Sequence, residues 1–218
     1  MDNRRQFIKT IMGLAAMLGL LVTPLARGVR NALAKAKRIL LPRGTKMDDL
    51  IRRNPAKLDT RNLDLTPMEA FDTMGQTDHK VDLDKWRLEI DGEVGRPFNL
   101  SRDQILQMPA VEKDVLLICP GVFAYHARWK GISVARLLET AGIKAAATHV
   151  VFSGPRGTYK RDRRFPLEDI RNGKVFLAYR VNGTELPRKH GFPLRVVAQD
   201  YYGSDWVKYV FRITALKA

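Results

Sequence analysis

Residues 175–198 read VFLAYRVNGTELPRKHGFPLRVVA. An apolar run of strand length, Val175–Tyr179, meets Asn182-Gly183, the dipeptide that best tolerates the left-handed positions of a tight hairpin turn. A second apolar run, Leu194–Ala198, follows across a segment holding Arg188, Lys189, His190 and Arg195. Outward from this stretch the same grammar repeats. Trp86, Leu88 and Ile90 alternate with polar residues as far as Asp91-Gly92; Val115–Cys119 stops at Pro120-Gly121; His149–Ser153 leads into a glycine-flanked basic loop; and Val207–Ile213 supplies a further strand. Helix signals are few and short. Ser101 and Gln104 form a capping box for a helix that stops before Pro109, and Ser133 caps one carrying Val134, Leu137, Leu138 and Ala141, with Gly142 as its stop. Regular helices do not separate the strands, which argues against a doubly wound nucleotide-binding fold. The expected class is α+β, mixed and mostly antiparallel β with short helices.

The chain has 218 residues, with 45% hydrophobic and 28% charged side chains, the composition of a globular protein able to bury a core. Its net charge of +15 invites a nucleic-acid reading. Location weakens that reading. Residues 1–57 hold 13 basic and 3 acidic side chains, a net of +10, and the body carries only the remaining +5. No nucleic-acid partner is expected. A single cysteine, Cys119, excludes an internal disulfide framework and any cysteine-rich metal cluster.

The N-terminus reads as an export address. A charged start, MDNRRQFIK, precedes an apolar run from Ile11 to Ala26, the layout of a secretory signal. Arg4-Arg5 followed by Gln6-Phe7-Ile8-Lys9 resembles the twin-arginine type, whose machinery carries folded proteins out of the bacterial cytoplasm. Residues 1–34 are therefore expected to be a twin-arginine signal or an N-terminal anchor. Residues 35–65, basic and broken by Pro42, Gly44 and Pro55, read as a basic tether or wrapping arm, and 66–218 as the functional domain. The implied location is periplasmic, either released or held at the inner membrane by an uncleaved segment. Export in a folded state suits a protein that receives a cofactor beforehand.

Common catalytic constellations are absent from the sequence: no phosphate-binding glycine loop, no paired histidines or carboxylates at metal spacing, no nucleophile elbow. His79, His126, His149 and His190 are scattered. The lone thiol stands out by position. Cys119 ends an apolar strand and enters a Pro-Gly turn, a place that can present a reactive group, although buried thiols are commonly structural. A thiolate is a soft metal ligand, and one suffices when a cofactor completes the coordination. The stretch from Arg188 to Arg195, with Gly203 and Lys208, suits a phosphate or a solvated basic face equally well. The loop Gly154–Arg164, with Tyr159 among Arg156, Lys160, Arg161, Arg163 and Arg164, offers a positive rim to an anionic substrate or acidic partner, or is simply solvated.

In order along the chain, several motifs resemble the sulfite-oxidase-type molybdopterin-binding domain family. They are Thr66-Pro67 with Phe71, Trp86-Arg-Leu-Glu-Ile-Asp-Gly, Cys119 with Gly121, and Ala127-Arg128-Trp129-Lys130-Gly131. Gly157-Thr158-Tyr159, Asn182-Gly183 and His190-Gly191-Phe192-Pro193-Leu194-Arg195 follow. The resemblance runs from about Thr66 to Lys217 and implies the fold of that family. It implies that Cys119 is the metal ligand and a catalytic residue, the protein thiolate on molybdenum beside the dithiolene of one pterin. His190, Arg195 and Trp206-Val207-Lys208 are implied to hold the pterin and its phosphate, Asp72 and Thr73 to contact the cofactor, and Tyr159 to be catalytic beside the reacting centre. The implied chemistry is two-electron oxygen-atom transfer by a molybdenum–molybdopterin oxidoreductase on a small or protein-bound S- or N-oxide or oxyanion. Electrons are then exchanged with a cytochrome or membrane haem partner. The alternative is a non-enzymatic module of the same fold that binds an anion or a partner. Met74-Gly75-Gln76 stands where the sulfite oxidases carry an Arg-Asn-His run, and Phe71 followed by Gly75 is closer to the branch that reduces methionine sulfoxide in proteins.

Overall fold

The computed structural model describes residues 38–155 and 161–217. The Arg4-Arg5 signal and Tyr159 lie outside the described residues. In chain order the strands are β1 (Ile39–Leu40), β2 (Leu58–Asp59), β3 (Leu88–Gly92), β4 (Phe98–Leu100), β5 (Ala110–Cys119) and β6 (Phe123–Ile132). They continue as β7 (Ala147–Ser153), β8 (Asp162–Pro166), β9 (Val175–Val181), β10 (Thr184–Glu185), β11 (Arg195–Ala198) and β12 (Arg212–Lys217). Three short α-helices intervene, α1 (Arg102–Gln107), α2 (Val134–Thr140) and α3 (Leu167–Arg171). Among the described residues no helix is long and apolar enough to cross a membrane.

Two five-stranded sheets form the body. One is ordered β10–β9–β6–β5 with β11 also paired to β9, the other β4–β3–β12–β7–β8. All their pairings are antiparallel except β3 with β12. The expected α+β class, mostly antiparallel with short helices, is the observed one. Asn182 and Gly183 take φ of 46° and 79°, the two left-handed positions that the Asn-Gly turn supplies. Ser101 and Gln104 make the reciprocal capping box of α1, and Ser133 Oγ accepts from the Arg136 amide to cap α2. One hydrophobic cluster joins the inner faces of both sheets, from Leu88 and Ile90 through Trp129 to Val196 and Ile213.

The hairpin β5–β6 is apolar on both faces, and the structure shows why. Val115, Leu117, Tyr125 and Ala127 point into the main core. The alternate residues Leu116, Ile118 and Ala124 pack against Leu41, Leu50, Leu58 and Leu63. Residues 39–65, whose basic composition suggested a tether or an arm, thus wrap the back of this hairpin. A buried leucine contributes about 1.5–3 kcal/mol, so four of them hold the segment firmly. Backbone bonds add to this: the Gly121 amide donates to the Ile51 carbonyl at 2.9 Å, and the Thr66 amide to the His126 carbonyl at 2.8 Å.

One expected strand is displaced. Val207–Phe211 is not a regular strand, and β12 begins only at Arg212. Tyr209 sits at φ 57°, a left-handed conformation that breaks extended geometry. The segment instead folds back on residues 191–196: the Val196 amide donates to the Val207 carbonyl at 2.8 Å, the Tyr209 amide to Gly191 at 3.3 Å and the Val210 amide to Leu194 at 2.9 Å. That fold-back aims Lys208 and Tyr209 at the same place as the end of β5.

Candidate active site

A cavity of about 450 Å³ opens where the end of β5, the start of β6 and the 203–209 segment meet the loop 72–76. Strand alternation builds one wall. Cys119 pairs with Phe123 and Leu117 with Tyr125 across the β5–β6 turn, and all four line the cavity. The turn holds Cys119 at the rim, with its carbonyl accepting from the Val122 amide at 3.0 Å. Burial pushes the Cys119 thiol up, with Arg161 pulling against it, so the thiol stays protonated at neutral pH until a cation binds it.

The opposite end is cationic. The Arg195 side chain is 4% exposed, packed 5.0 Å over the Trp129 ring and 5.4 Å over that of Trp206, and donates to the His190 carbonyl at 3.1 Å. Its Nε is buried without a partner among the described residues. Lys208 Nζ donates to Thr73 Oγ1 at 3.0 Å and to the Lys189 carbonyl at 3.1 Å, while the Thr73 hydroxyl donates to that carbonyl at 3.3 Å. Burial, helped by Arg195 and Arg161, lowers the Lys208 ammonium to about 8. No carboxylate pairs with Arg195 or Lys208 among the described residues. A buried and a half-buried cation without carboxylate partners form a destabilising arrangement that a bound anion relieves.

Of the residues singled out in the sequence, Asp72, Thr73, Cys119, Arg195, Trp206 and Lys208 line this one cavity. His190 and Val207 are buried, 1% and 0% exposed, and lie behind its wall. The Val207 carbonyl is engaged by the Val196 amide. The His190 ring stands edge-on to Phe71 at 5.8 Å and to Tyr125 at 6.4 Å, and neither of its nitrogens finds a partner among the described residues. Tyr125 and Phe123 escaped the sequence reading because they look like ordinary strand hydrophobics. Continuing the alternation from Cys119 through a three-residue turn would have found them.

His190 yields a pH prediction. Burial first, then Arg195, Lys189 and Lys208, lower its imidazolium to about 4. The unfolded chain binds this proton at about 6.5, so stability is full above that pH and falls as pH drops toward 4. The loss from this group is about 3 kcal/mol by the size of the shift. Urea unfolding of cofactor-free wild type and His190→Gln at pH 7 and pH 4.5 checks it. The variant is expected to lose less stability between the two pH values; equal losses assign the acid sensitivity elsewhere.

A family model described as oxidoreductase molybdopterin binding domain matches residues 74–218. The chain belongs to that family. Relatives of this molybdopterin-binding chain include the protein-methionine-sulfoxide reductase catalytic subunit MsrP of Gluconobacter oxydans, 32% identical over 161 residues, 66% of this chain and 50% of the relative. Human mitochondrial sulfite oxidase is 32% identical over 189 residues, 73% of this chain and 34% of the oxidase. The uncharacterized oxidoreductase YuiH of Bacillus subtilis is 31% identical over 138 residues, 62% and 68% of the two chains. The chain thus spans half of the MsrP sequence and a third of the sulfite oxidase sequence. Among solved structures, the sulfane dehydrogenase SoxCD from Paracoccus pantotrophus shares the fold, with a TM-score of 0.60 at 24% identity over 64% of this chain and 40% of that one.

The cavity fits the family's cofactor. It offers one soft donor at the rim, and no group of three or more His, Cys, Asp or Glu side chains able to hold a metal occurs among the described residues. A metal here must bring most of its own ligands, as a pterin dithiolene does. The unpartnered Arg195 Nε and the Lys208 ammonium suit the pterin's anionic end. Gly203 keeps the wall thin: a Cβ there would stand 2.9 Å from Leu117 Cδ2 and 3.3 Å from the Ile118 carbonyl oxygen.

Proposed function

We propose that this chain is a molybdenum–molybdopterin oxidoreductase carrying out two-electron oxygen-atom transfer on a small or protein-bound S- or N-oxide or oxyanion. The observation that carries the reading is one cavity that pairs a single thiol with buried Arg195 and half-buried Lys208, neither paired to a carboxylate among the described residues. When bound, the molybdenum cofactor supplies a two-electron redox couple for oxygen-atom exchange. Cys119 is assigned as the protein's thiolate ligand, fixed by the end of β5 and raised in basicity by burial. Arg195, Lys208, Trp206 and Thr73 hold the anionic and planar parts of the cofactor, with Asp72 at the rim. His190 and Val207 support that wall from behind. Tyr159 is assigned a place beside the reacting centre, on the strength of its loop motif.

Oxide substrates are supported by the similarity to a protein-methionine-sulfoxide reductase and to sulfite oxidases. We further propose a periplasmic location reached through the twin-arginine machinery, supported by Arg4-Arg5 and the apolar run behind it. A cytochrome or membrane haem then exchanges electrons singly with the domain. Metal analysis of protein purified from a molybdopterin-competent host tests the reading. About one molybdenum per chain is expected. Metal-free protein that folds normally overturns it in favour of a non-enzymatic binding module.

A further inference from the structure

Four cationic side chains line the cavity, and three of them are committed. Arg163 donates to the Ser204 carbonyl at 3.2 Å and pairs with Asp205 at 3.2 Å. Lys208 donates to the Thr73 hydroxyl and the Lys189 carbonyl, and Arg195 packs over the rings of Trp129 and Trp206. Lys189 is exposed, off the cavity lining. Arg161 lines the cavity, yet its guanidinium has no hydrogen bond or ion pair among the described residues. Its backbone is fixed, because its carbonyl accepts from the Gly154 amide at 2.9 Å.

Its direction is also defined. Gly75 lies on the facing loop at φ 79°, where side chains are strained, and a Cβ built there would be 4.0 Å from Arg161 Nη1. The loop therefore leaves room at the mouth, and the Arg161 guanidinium fills the edge of it. Arg161 shares the cavity lining with both Cys119 and Lys208 and acts electrostatically on each. A planar guanidinium with free donors takes two oxygens of an oxyanion at once, which an ammonium cannot do.

We infer that Arg161 is the substrate-anchoring residue of this cavity, and that it selects a small oxyanion over a neutral oxide. The inference rests on the oxidoreductase reading for the word substrate, but its test does not depend on turnover. Sulfate, a stable tetrahedral oxyanion, is titrated calorimetrically into the full-length protein at low ionic strength, with molybdenum content measured on the same samples. Four proteins are compared: wild type, Arg161→Gln, Arg161→Lys and Arg164→Gln. Arg164 is the control because it sits on β8 facing the other way, with Nη2 2.9 Å from His149 Nδ1, and removes the same charge.

Arg161→Gln is expected to weaken sulfate binding about tenfold, Arg161→Lys by less, and Arg164→Gln by about twofold or less. Wild type that binds no sulfate overturns the inference. So does Arg161→Gln binding like wild type, or Arg164→Gln weakening binding as much as Arg161→Gln, which reduces the effect to net charge. Because Arg161 is exposed, its variants are expected to fold and to load molybdenum as wild type does. Absent molybdenum in all four proteins counts against the proposed function, and the sulfate comparison still decides the role of Arg161.

Discussion

Replacing Cys119 by Ser is expected to lower oxygen-atom-transfer turnover by at least about three orders of magnitude, with molybdenum lost alongside it. A serine hydroxyl ionises far less readily than a thiol and is a harder, less electron-donating ligand, so it is a poor substitute for the thiolate. The fold has little stake in the sulfur atom. Cys119 is only partly buried, and its strand contacts are backbone ones, to Phe123 across the hairpin and to Val122 at the turn. The urea midpoint of the cofactor-free variant should therefore match wild type within about 0.5 kcal/mol, as for substitutions away from the core. Turnover and molybdenum content, read beside that midpoint, separate a lost ligand from a lost fold. A variant that keeps both activity and metal removes Cys119 from the centre of the chemistry.

Arg195→Met is expected to push stability and cofactor retention in opposite directions. The guanidinium is buried against Trp129 and Trp206, its Nε is unpartnered and no carboxylate pairs with it among the described residues. Exchanging an uncompensated buried charge for an apolar side chain of similar length should stabilise the cofactor-free protein by about 1–2 kcal/mol. Arg195 also depresses Lys208 and His190, so both should titrate at higher pH in the variant. The same change removes the seat of an anionic group, and pterin content after purification should fall by about tenfold or more. Urea unfolding of the cofactor-free protein and pterin content of the loaded protein form the test. A variant that is less stable and fully loaded shows that Arg195 serves packing alone.

The sequence carried the hairpin logic of this fold because Asn182-Gly183, Asp91-Gly92 and the Ser101 and Ser133 caps act locally. It pointed to Cys119 for the same reason, since a strand end beside Pro120-Gly121 is visible in six residues. The arm at 39–65 was harder to read. Its leucines are spaced irregularly among lysines and arginines, and only the outward face of β5–β6 gives them a partner. Val207–Ile213 misled because its apolar content is that of a strand, while the left-handed Tyr209 reflects contacts with Gly191 and Leu194, some 15 residues earlier. Tyr125 was legible in principle from the strand alternation about the turn after Cys119, whereas Arg161 looked like any other basic residue of its loop, and its place on the cavity depends on segments distant in sequence.

The cavity also imposes an order of events. Its walls come from residues 72–76, from Leu117 to Tyr125, from Pro155 with Arg161 and Arg163, and from 195–209, so nearly the whole domain must close before the cavity is complete. Contacts of such wide sequence separation carry a loop-closure cost that slows folding. Cofactor insertion is therefore expected to follow folding of the scaffold and, on the proposed export route, to precede export, and the loaded protein should be the form most resistant to unfolding.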